Sequence, residues 1–97
     1  MYKNMEFNEL KNFLEVYYNQ SIDWNELKNV SYEYLYRNNT NYVNKFVQEL
    51  RAIKNINDWD FAKEFVHKHA GRKYDKEKVK LMIDIILECL TDPNWDK

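Results

Sequence analysis

Glycine and proline are almost absent from this sequence, with one of each among 97 residues. So little turn chemistry argues against β-hairpins, and a single glycine excludes a phosphate-binding glycine loop. The lone cysteine excludes an intramolecular disulfide and fits a reducing compartment. One cysteine with two histidines is also too few ligands for a usual zinc site.

Long apolar runs are missing as well. The longest apolar segment, LMIDIILECL, is interrupted by Asp84 and Glu88, and it falls short of the roughly 20 residues that a membrane span requires. The N-terminal segment MYKNMEFNEL has Glu6 and Glu9 where a signal peptide would be apolar. We therefore expect no membrane segment and a cytoplasmic location.

The overall composition is that of a globular protein. Hydrophobic residues make up 44% and charged residues 32%, and the net charge is −1. The length suits one domain covering residues 1–97. Near balance of the two charge signs argues against a protein held to nucleic acid by its net charge alone.

Apolar residues recur at helical spacing in five segments. The first spans about 6–17, the second starts near Asp23 and ends before RNNTN, and the third spans about 42–54. The fourth runs from a cap at Asn57 or Asp58 to Gly71, and the fifth spans about 76–90 after a cap at Asp75. Asp23 and Glu26 have the spacing of a capping box. We predict an all-α fold, a single compact bundle of about five helices.

The fifth segment is apolar on most sides, which is typical of a helix buried among others. Its apolar positions are Val79, Met82, Ile83, Ile86 and Leu90, widened by Leu81, Ile85 and Leu87.

No catalytic set is apparent. His67 and His69 lie two residues apart on a predicted helix, so their side chains point to different faces. Cys89 lies within an apolar stripe and is interpreted as a small core residue. We therefore predict a protein that is not an enzyme and that uses no cofactor or metal.

Two surface features are candidates for binding. The stretch HKHAGRKYDKEKVK is basic and is either a nucleic-acid patch or a solvated helix junction; its cations are Lys68, Arg72, Lys73, Lys76, Lys78 and Lys80. The first two helices are rich in aromatic side chains and in acids, which either form an interface or complete a small core. The aromatic residues are Tyr17, Tyr18, Trp24, Tyr32, Tyr34 and Tyr36.

The stretch LKNFLEVYYNQSIDW, residues 10–24, resembles the start of a family of small bacterial immunity proteins from contact-dependent growth inhibition systems. In that family an N-terminal helix runs through an aromatic pair into a short polar turn, and a second helix led by Trp or an acid follows. Here the turn is Asn19 and Gln20, with Ser21 where the family favours Asp. FVQELRAI and DWDFAKEFVHKHAG are similar to two later helices of the family.

The resemblance implies a protein that binds and neutralises the cognate toxin domain of a large secreted effector. Such toxins are often nucleases, with an RNase favoured, and the immunity protein masks the active site or the substrate path. The expected toxin-binding residues are aromatic or acidic: Tyr18, Asp23, Trp24, Glu26, Glu33, Asp58, Trp59, Asp60 and Glu64. Among the acids, the group at 58, 60 and 64 ranks slightly first because it lies within about one and a half helical turns.

The alternative function is a small helical nucleic-acid-binding or regulatory module that uses the basic stretch 68–80. Under the first hypothesis no nucleic acid and no membrane are expected as partners. A monomer and a dimer of the free protein both fit the sequence.

Overall fold

The computed structural model describes residues 7–92, and all regular structure within that range is helical. Helix α1, Asn8–Asn12, continues without a break as a π-helical segment, Phe13–Tyr17. A 3₁₀ turn, Trp24–Glu26, then leads into α2, Leu27–Arg37. Helices α3, Thr40–Ile56, α4, Trp59–Ala70, and α5, Lys76–Leu90, follow. The predicted all-α bundle of five helices is confirmed, while the helix start predicted near Glu6 lies outside the described residues.

Acidic side chains begin three of these elements, as the sequence predicts. The carboxylates of Asp23, Asp58 and Asp75 each accept a hydrogen bond from a free N–H of the turn that follows. Gly71 ends α4 with φ 70°, a left-handed conformation that glycine adopts without a steric penalty.

Of the two candidate caps for α4, Asp58 is the one used, because Asn57 ends α3 in a left-handed conformation with φ 59°. One detail of the predicted caps is wrong. Glu26 does not complete a capping box with Asp23, because its carboxylate instead accepts a hydrogen bond from Nδ2 of Asn29 at 3.2 Å.

Helix α5 has the central position, since it packs against α2, α3 and α4. Its buried residues are Val79, Met82, Ile83, Ile86, Cys89 and Leu90. Leu81 was predicted to widen this apolar stripe, and that prediction is wrong: 52% of its surface is exposed. It lies on the side of α5 that the other described helices leave uncovered.

Within the core, four aromatic rings from α2, α3 and the π-helical segment form one cluster. The ring of Phe46 lies 5.2 Å from that of Phe13 and 5.0 Å from that of Tyr34, measured between centroids. Tyr17 stacks on Phe13 at 6.0 Å and meets Tyr34 edge to face at 5.4 Å. Part of the aromatic surplus of the first two helices therefore belongs to the core.

A buried carboxylate joins α3 to the start of α1. The side chain of Glu49 accepts hydrogen bonds from the main-chain N–H groups of Leu10, at 2.9 Å, and Glu9, at 3.2 Å. These donors have no partner within the first turn of α1, so Glu49 acts as a cap supplied from another helix. Burial raises the pKa of the Glu49 carboxyl, and the two N–H donors oppose that rise.

Emptying the centre of α5 should be costly. Ile83→Ala and Ile86→Ala each remove buried methyl groups from the contact with the other helices. We expect each to lower the free energy of unfolding by roughly 2–5 kcal/mol. The half-exposed Leu81→Ala is the control from the same helix and should change it by less than about 0.5 kcal/mol. Urea denaturation measures all three, and equal losses at positions 81 and 83 would show that the buried face is misassigned.

Glu49 should make stability depend on pH in one direction. A carboxyl whose folded pKa is raised binds its proton more tightly in the folded state, so its contribution to stability is present below the unfolded pKa. That contribution is lost as the pH rises through the folded pKa. We expect the stability of the native protein, relative to Glu49→Gln, to fall as the pH rises above the ordinary carboxyl pKa of about 4.3.

The measurement for Glu49 is urea denaturation at a series of pH values. Glu88→Gln, at an exposed position on α5, is the matched control for loss of one carboxylate. Parallel stability curves for the native protein and Glu49→Gln would contradict the prediction.

Candidate functional site

The polar corner between the first two helices, residues 18–23, is closed by its own side chains. Oδ1 of Asn19 accepts hydrogen bonds from the N–H of Ser21 at 3.0 Å and from its hydroxyl at 2.5 Å. The carbonyl of Asn19 accepts a further bond from the N–H of Ile22 at 3.0 Å. Asn and Ser provide this kind of local turn, so these uncharged residues have a structural role in the corner.

Arg72, from the loop after α4, holds this corner in place. Its guanidinium donates hydrogen bonds to the main-chain carbonyls of Asn19 and Ile22 and, at 3.1 Å, to the hydroxyl of Tyr74. The same group lies 4.2 Å from the centre of the Tyr18 ring. A rigid planar fork of donors suits this combination of two carbonyls, a hydroxyl and an aromatic face. Sequence reasoning placed Arg72 in a basic stretch and missed this role.

Tyr18, predicted as a toxin contact, is a core residue with no exposed surface in the free protein. The ring is fully buried under Arg72, and its hydroxyl lies 2.9 Å from the hydroxyl of Tyr74. Burial and this hydrogen bond raise the pKa of the Tyr18 phenol. At the end of the π-helical segment the N–H of Tyr18 bonds to the carbonyl of Phe13, and the adjacent Tyr17 and Tyr18 then pack on different parts of the interior.

Trp24, directly after the corner, is a partly buried aromatic residue. Its ring packs against the core and meets the ring of Tyr74 edge to face, with centroids 5.5 Å apart and an angle of 86°. The ammonium group of Lys78 lies over both rings. Asp23, the exposed cap, precedes Trp24 directly. Tyr74 contributes as much to this surface as Trp24 does, yet no pattern in the sequence singled it out.

The predicted residues of α2 lie on its outer face. Glu26, Asn29, Glu33 and Tyr36 follow one another at intervals of three or four residues, and all are exposed. Glu33 forms an ion pair with Arg37 at 3.0 Å, one turn along the helix, and Tyr36 is 78% exposed. We call this row the α2 face; Trp24, at the start of the same helical stretch, packs on the other side, against the core and Tyr74.

The predicted residues of α4 form a second group on a different helix. Asp58 is used as the cap, and Asp60 forms an ion pair with Lys76 at 3.1 Å. The indole N–H of Trp59 donates to Oδ1 of Asn57 at 2.6 Å. Glu64 is exposed and lines a hollow of about 410 Å³ together with two lysines, Lys63 and Lys73, and with His67. The surface of this group is therefore mixed in charge.

Lysines from the first turns of α5 lie between the two groups. Lys78 is directed to Trp24, whereas Lys76 pairs with Asp60 and Lys80 lies 5.6 Å from the centre of the Trp59 ring. The structure thus keeps the acids of α2 and α4 as two separate groups.

The basic stretch 68–80 is largely engaged within the protein. Arg72, Lys76, Lys78 and Lys80 all contact carbonyls, carboxylates or rings of the same chain. Such contacts reduce the positive surface that a nucleic acid would meet. This weakens the support for the alternative function.

His69 and Cys89, two further side chains that could be reactive, are engaged in packing within the protein. Nδ1 of His69 lies 2.8 Å from a carboxylate oxygen of Glu15, and its ring packs on Phe65 at 4.5 Å. Cys89 is buried, and burial raises the pKa of its thiol, as expected of a core cysteine. Among residues 7–92, no three His, Cys, Asp or Glu side chains are grouped so that they could hold a metal ion.

The stability of the corner should depend on Arg72 far more than on Gln20. Arg72→Lys keeps the charge but loses the planar fork, leaving corner carbonyls without donors, and should cost about 2 kcal/mol of unfolding free energy. Tyr17→Ala removes a ring from the aromatic cluster and should clearly lower the melting temperature. Gln20→Ala, at an exposed position against Gly71, should change stability by less than about 0.5 kcal/mol. Thermal denaturation with the reverse ranking of Arg72 and Gln20 would contradict this account.

Comparison of the chain with protein-family models, with characterised proteins and with solved structures found no significant match.

Proposed function

We propose that this protein is an immunity protein that binds and neutralises the toxin domain of a contact-dependent growth inhibition effector. One support is the resemblance of residues 10–24, 46–53 and 58–71 to that family. In the structure these stretches lie on the π-helical segment and corner, on α3 and on α4, within the helical bundle. The proposal places the protein in the cytoplasm, where a delivered nuclease meets its substrate.

The observation that carries the proposal is the α2 face. Tyr36 is exposed on this face near the end of α2, and Trp24 is partly buried at the start of the same helical stretch. Large aromatic side chains on a rigid support lose little entropy when they bind, and they dominate the energy of many protein interfaces. The exposed carboxylates of Glu26 and Glu33 lie on the same side of the helical stretch as Tyr36. This combination favours a basic protein surface as the partner.

The chemistry of a nuclease cleft explains how such a face would inhibit. A cleft that binds phosphates is positively charged, so carboxylates can occupy it in place of the substrate. Charge complementarity mainly speeds association and selects the partner. Buried aromatic anchors slow dissociation, and we assign that role to Trp24.

The contacts reverse the ranking of the two acidic groups. Spacing alone favours the acids of α4, but Asp58 caps its helix and Asp60 pairs with Lys76. Glu64 shares its surroundings with Lys63 and Lys73. On the α2 face, Glu33 pairs with Arg37 much as Asp60 pairs with Lys76, but Glu26 is bonded to a neutral amide and is not used as a cap. We therefore assign toxin binding to the α2 face first.

Charge reversal on the α2 face should abolish protection. We expect cells that express Glu26→Lys/Glu33→Lys to be killed by the toxin domain encoded beside this protein's gene, because the face would then repel a basic cleft. Asp60→Lys/Glu64→Lys should protect better than the α2 pair. The measurement is survival after toxin induction, with circular dichroism to show that each variant is folded.

The matched control is Glu77→Lys/Asp84→Lys, which changes the net charge by the same amount at exposed positions of α5. The ion pair of Asp84 with Lys54 is exposed, so its loss should cost little. Full protection by both the α2 and the α4 variants would reject the acidic mask. Equal loss of protection in the control would show that net charge, and not the α2 face, is responsible.

The alternative function is tested in the same set of proteins. Binding of a generic RNA or DNA duplex that weakens steeply with salt would favour a nucleic-acid-binding module. Under our proposal the native protein shows no such binding.

A further inference from the structure

Trp24 and Tyr74 form two perpendicular aromatic walls around an ammonium group. Their rings meet at 86°, and Nζ of Lys78 lies 4.7 Å from the centre of the first ring and 4.6 Å from the centre of the second. Cations are attracted to aromatic faces at such distances, and proteins bind quaternary ammonium groups with aromatic cages of this kind. We propose that this pair is a binding site for an organic cation, occupied by Lys78 when the protein is free.

The two walls are rigid and the occupant is flexible. Trp24 begins the 3₁₀ turn that Asp23 caps, and its ring packs against the core. Tyr74 is held through its hydroxyl, which lies 2.9 Å from that of Tyr18 and accepts a bond from Arg72. Lys78 reaches the rings at the end of a four-carbon stem that is free to take other rotamers. An incoming cation therefore has to displace one side chain and does not have to rebuild the site.

The charges around the walls favour a cation. Asp23 precedes Trp24 and Asp75 follows Tyr74, and both carboxylates are exposed. Arg72 is the positive group on the opposite side, where it contacts the hydroxyl edge of Tyr74 and the face of Tyr18. Lys28 lies on another side of Trp24, in the lining of a neighbouring hollow. Lys78 is therefore the cation that contacts the faces of Trp24 and Tyr74 in the angle between the two rings.

A hollow of about 170 Å³ opens beside Trp24, lined by Asn25, Leu27, Lys28 and Ile85. Leu27 and Ile85 contribute apolar surface there, on a side of Trp24 that a partner docked at the two rings would also reach. The ligand class that fits is the head of a lysine or arginine side chain on a basic protein partner. The identification of the ligand as a side chain of a basic protein rests on the proposed function, whereas the cation site itself does not.

Lys78 also sets a threshold for binding. A site that its own side chain fills for nine-tenths of the time binds a competitor about tenfold more weakly than the empty site would. Only a cation with additional contacts overcomes this, which gives selectivity between partners. Lys80 over Trp59 is different, because it lies 5.6 Å from a single ring.

Removing Lys78 from the free protein should expose the site to a small probe. We expect Lys78→Met to bind choline at least about tenfold more tightly than the native protein does. The uncharged isostere 3,3-dimethyl-1-butanol should bind the variant at least about tenfold more weakly than choline, because it lacks the charge that the rings attract. The measurement is titration of the Trp24 indole N–H signal by NMR, identified with Trp24→Phe.

Lys80→Met is the matched control and should bind choline as the native protein does. The same choline affinity in Lys78→Met and Lys80→Met would overturn the proposal, as would equal binding of the two probes. This experiment needs no toxin, so its failure is separate from failure of the proposed function. Choline binding without toxin protection would support the site and reject the partner.

Discussion

The guanidinium of Arg72 donates to two main-chain carbonyls of the corner that joins the first two helices, and it covers the buried ring of Tyr18. Those contacts tie residues 18–22 to the loop that leads from α4 to α5. Because the 3₁₀ turn and α2 follow directly, these contacts help to position the start of α2, which then packs against α5. Arginine suits the task because its fork supplies several fixed donors while its plane stacks on a ring. A lysine would supply the charge without that geometry.

Several lysine side chains contact aromatic rings or carboxylates of the same chain and are not simply surrounded by solvent. Lys78 and Lys80 cover tryptophan rings, and Lys76 neutralises an aspartate of α4. In a small protein the core cannot cover every large ring, and the stem and charge of a lysine protect such rings while remaining hydrated. Lysine contacts are easily exchanged, so the same rings remain accessible to a partner. A lysine that covers a ring shields it in the free protein and can move aside when the proposed partner binds.

The corner and the α2 face together link structure to the proposed function. The rigid part consists of a turn closed by Asn19, a buried Tyr18 and the Arg72 contacts. The variable part consists of exposed acids and rings on α2, whose substitution leaves the core intact. Such a division would let one fold serve many toxins, because specificity can change on the surface while the corner stays the same.

The sequence by itself determined the helices, their caps and the apolar stripes. Helical spacing, Asp23 and Asp75 as caps and Gly71 as a helix end are local signals, since each acts through hydrogen bonds or sterics within one turn. Spacing alone did not show that Leu81 faces outward, because an apolar stripe does not say how many neighbours will cover it.

Only the tertiary structure decided which aromatic and charged residues form a surface. Tyr18 and Trp24 look alike in the sequence. In the structure Arg72 and Tyr74 cover Tyr18, whereas Trp24 meets the ring of Tyr74 edge to face and stays partly exposed. Arg72 lies 53 residues along the chain from Asn19 and 50 from Ile22, the two residues whose main-chain carbonyls it binds. Contacts between distant segments leave no periodic pattern, so the partners of a charge become visible only when the helices are packed.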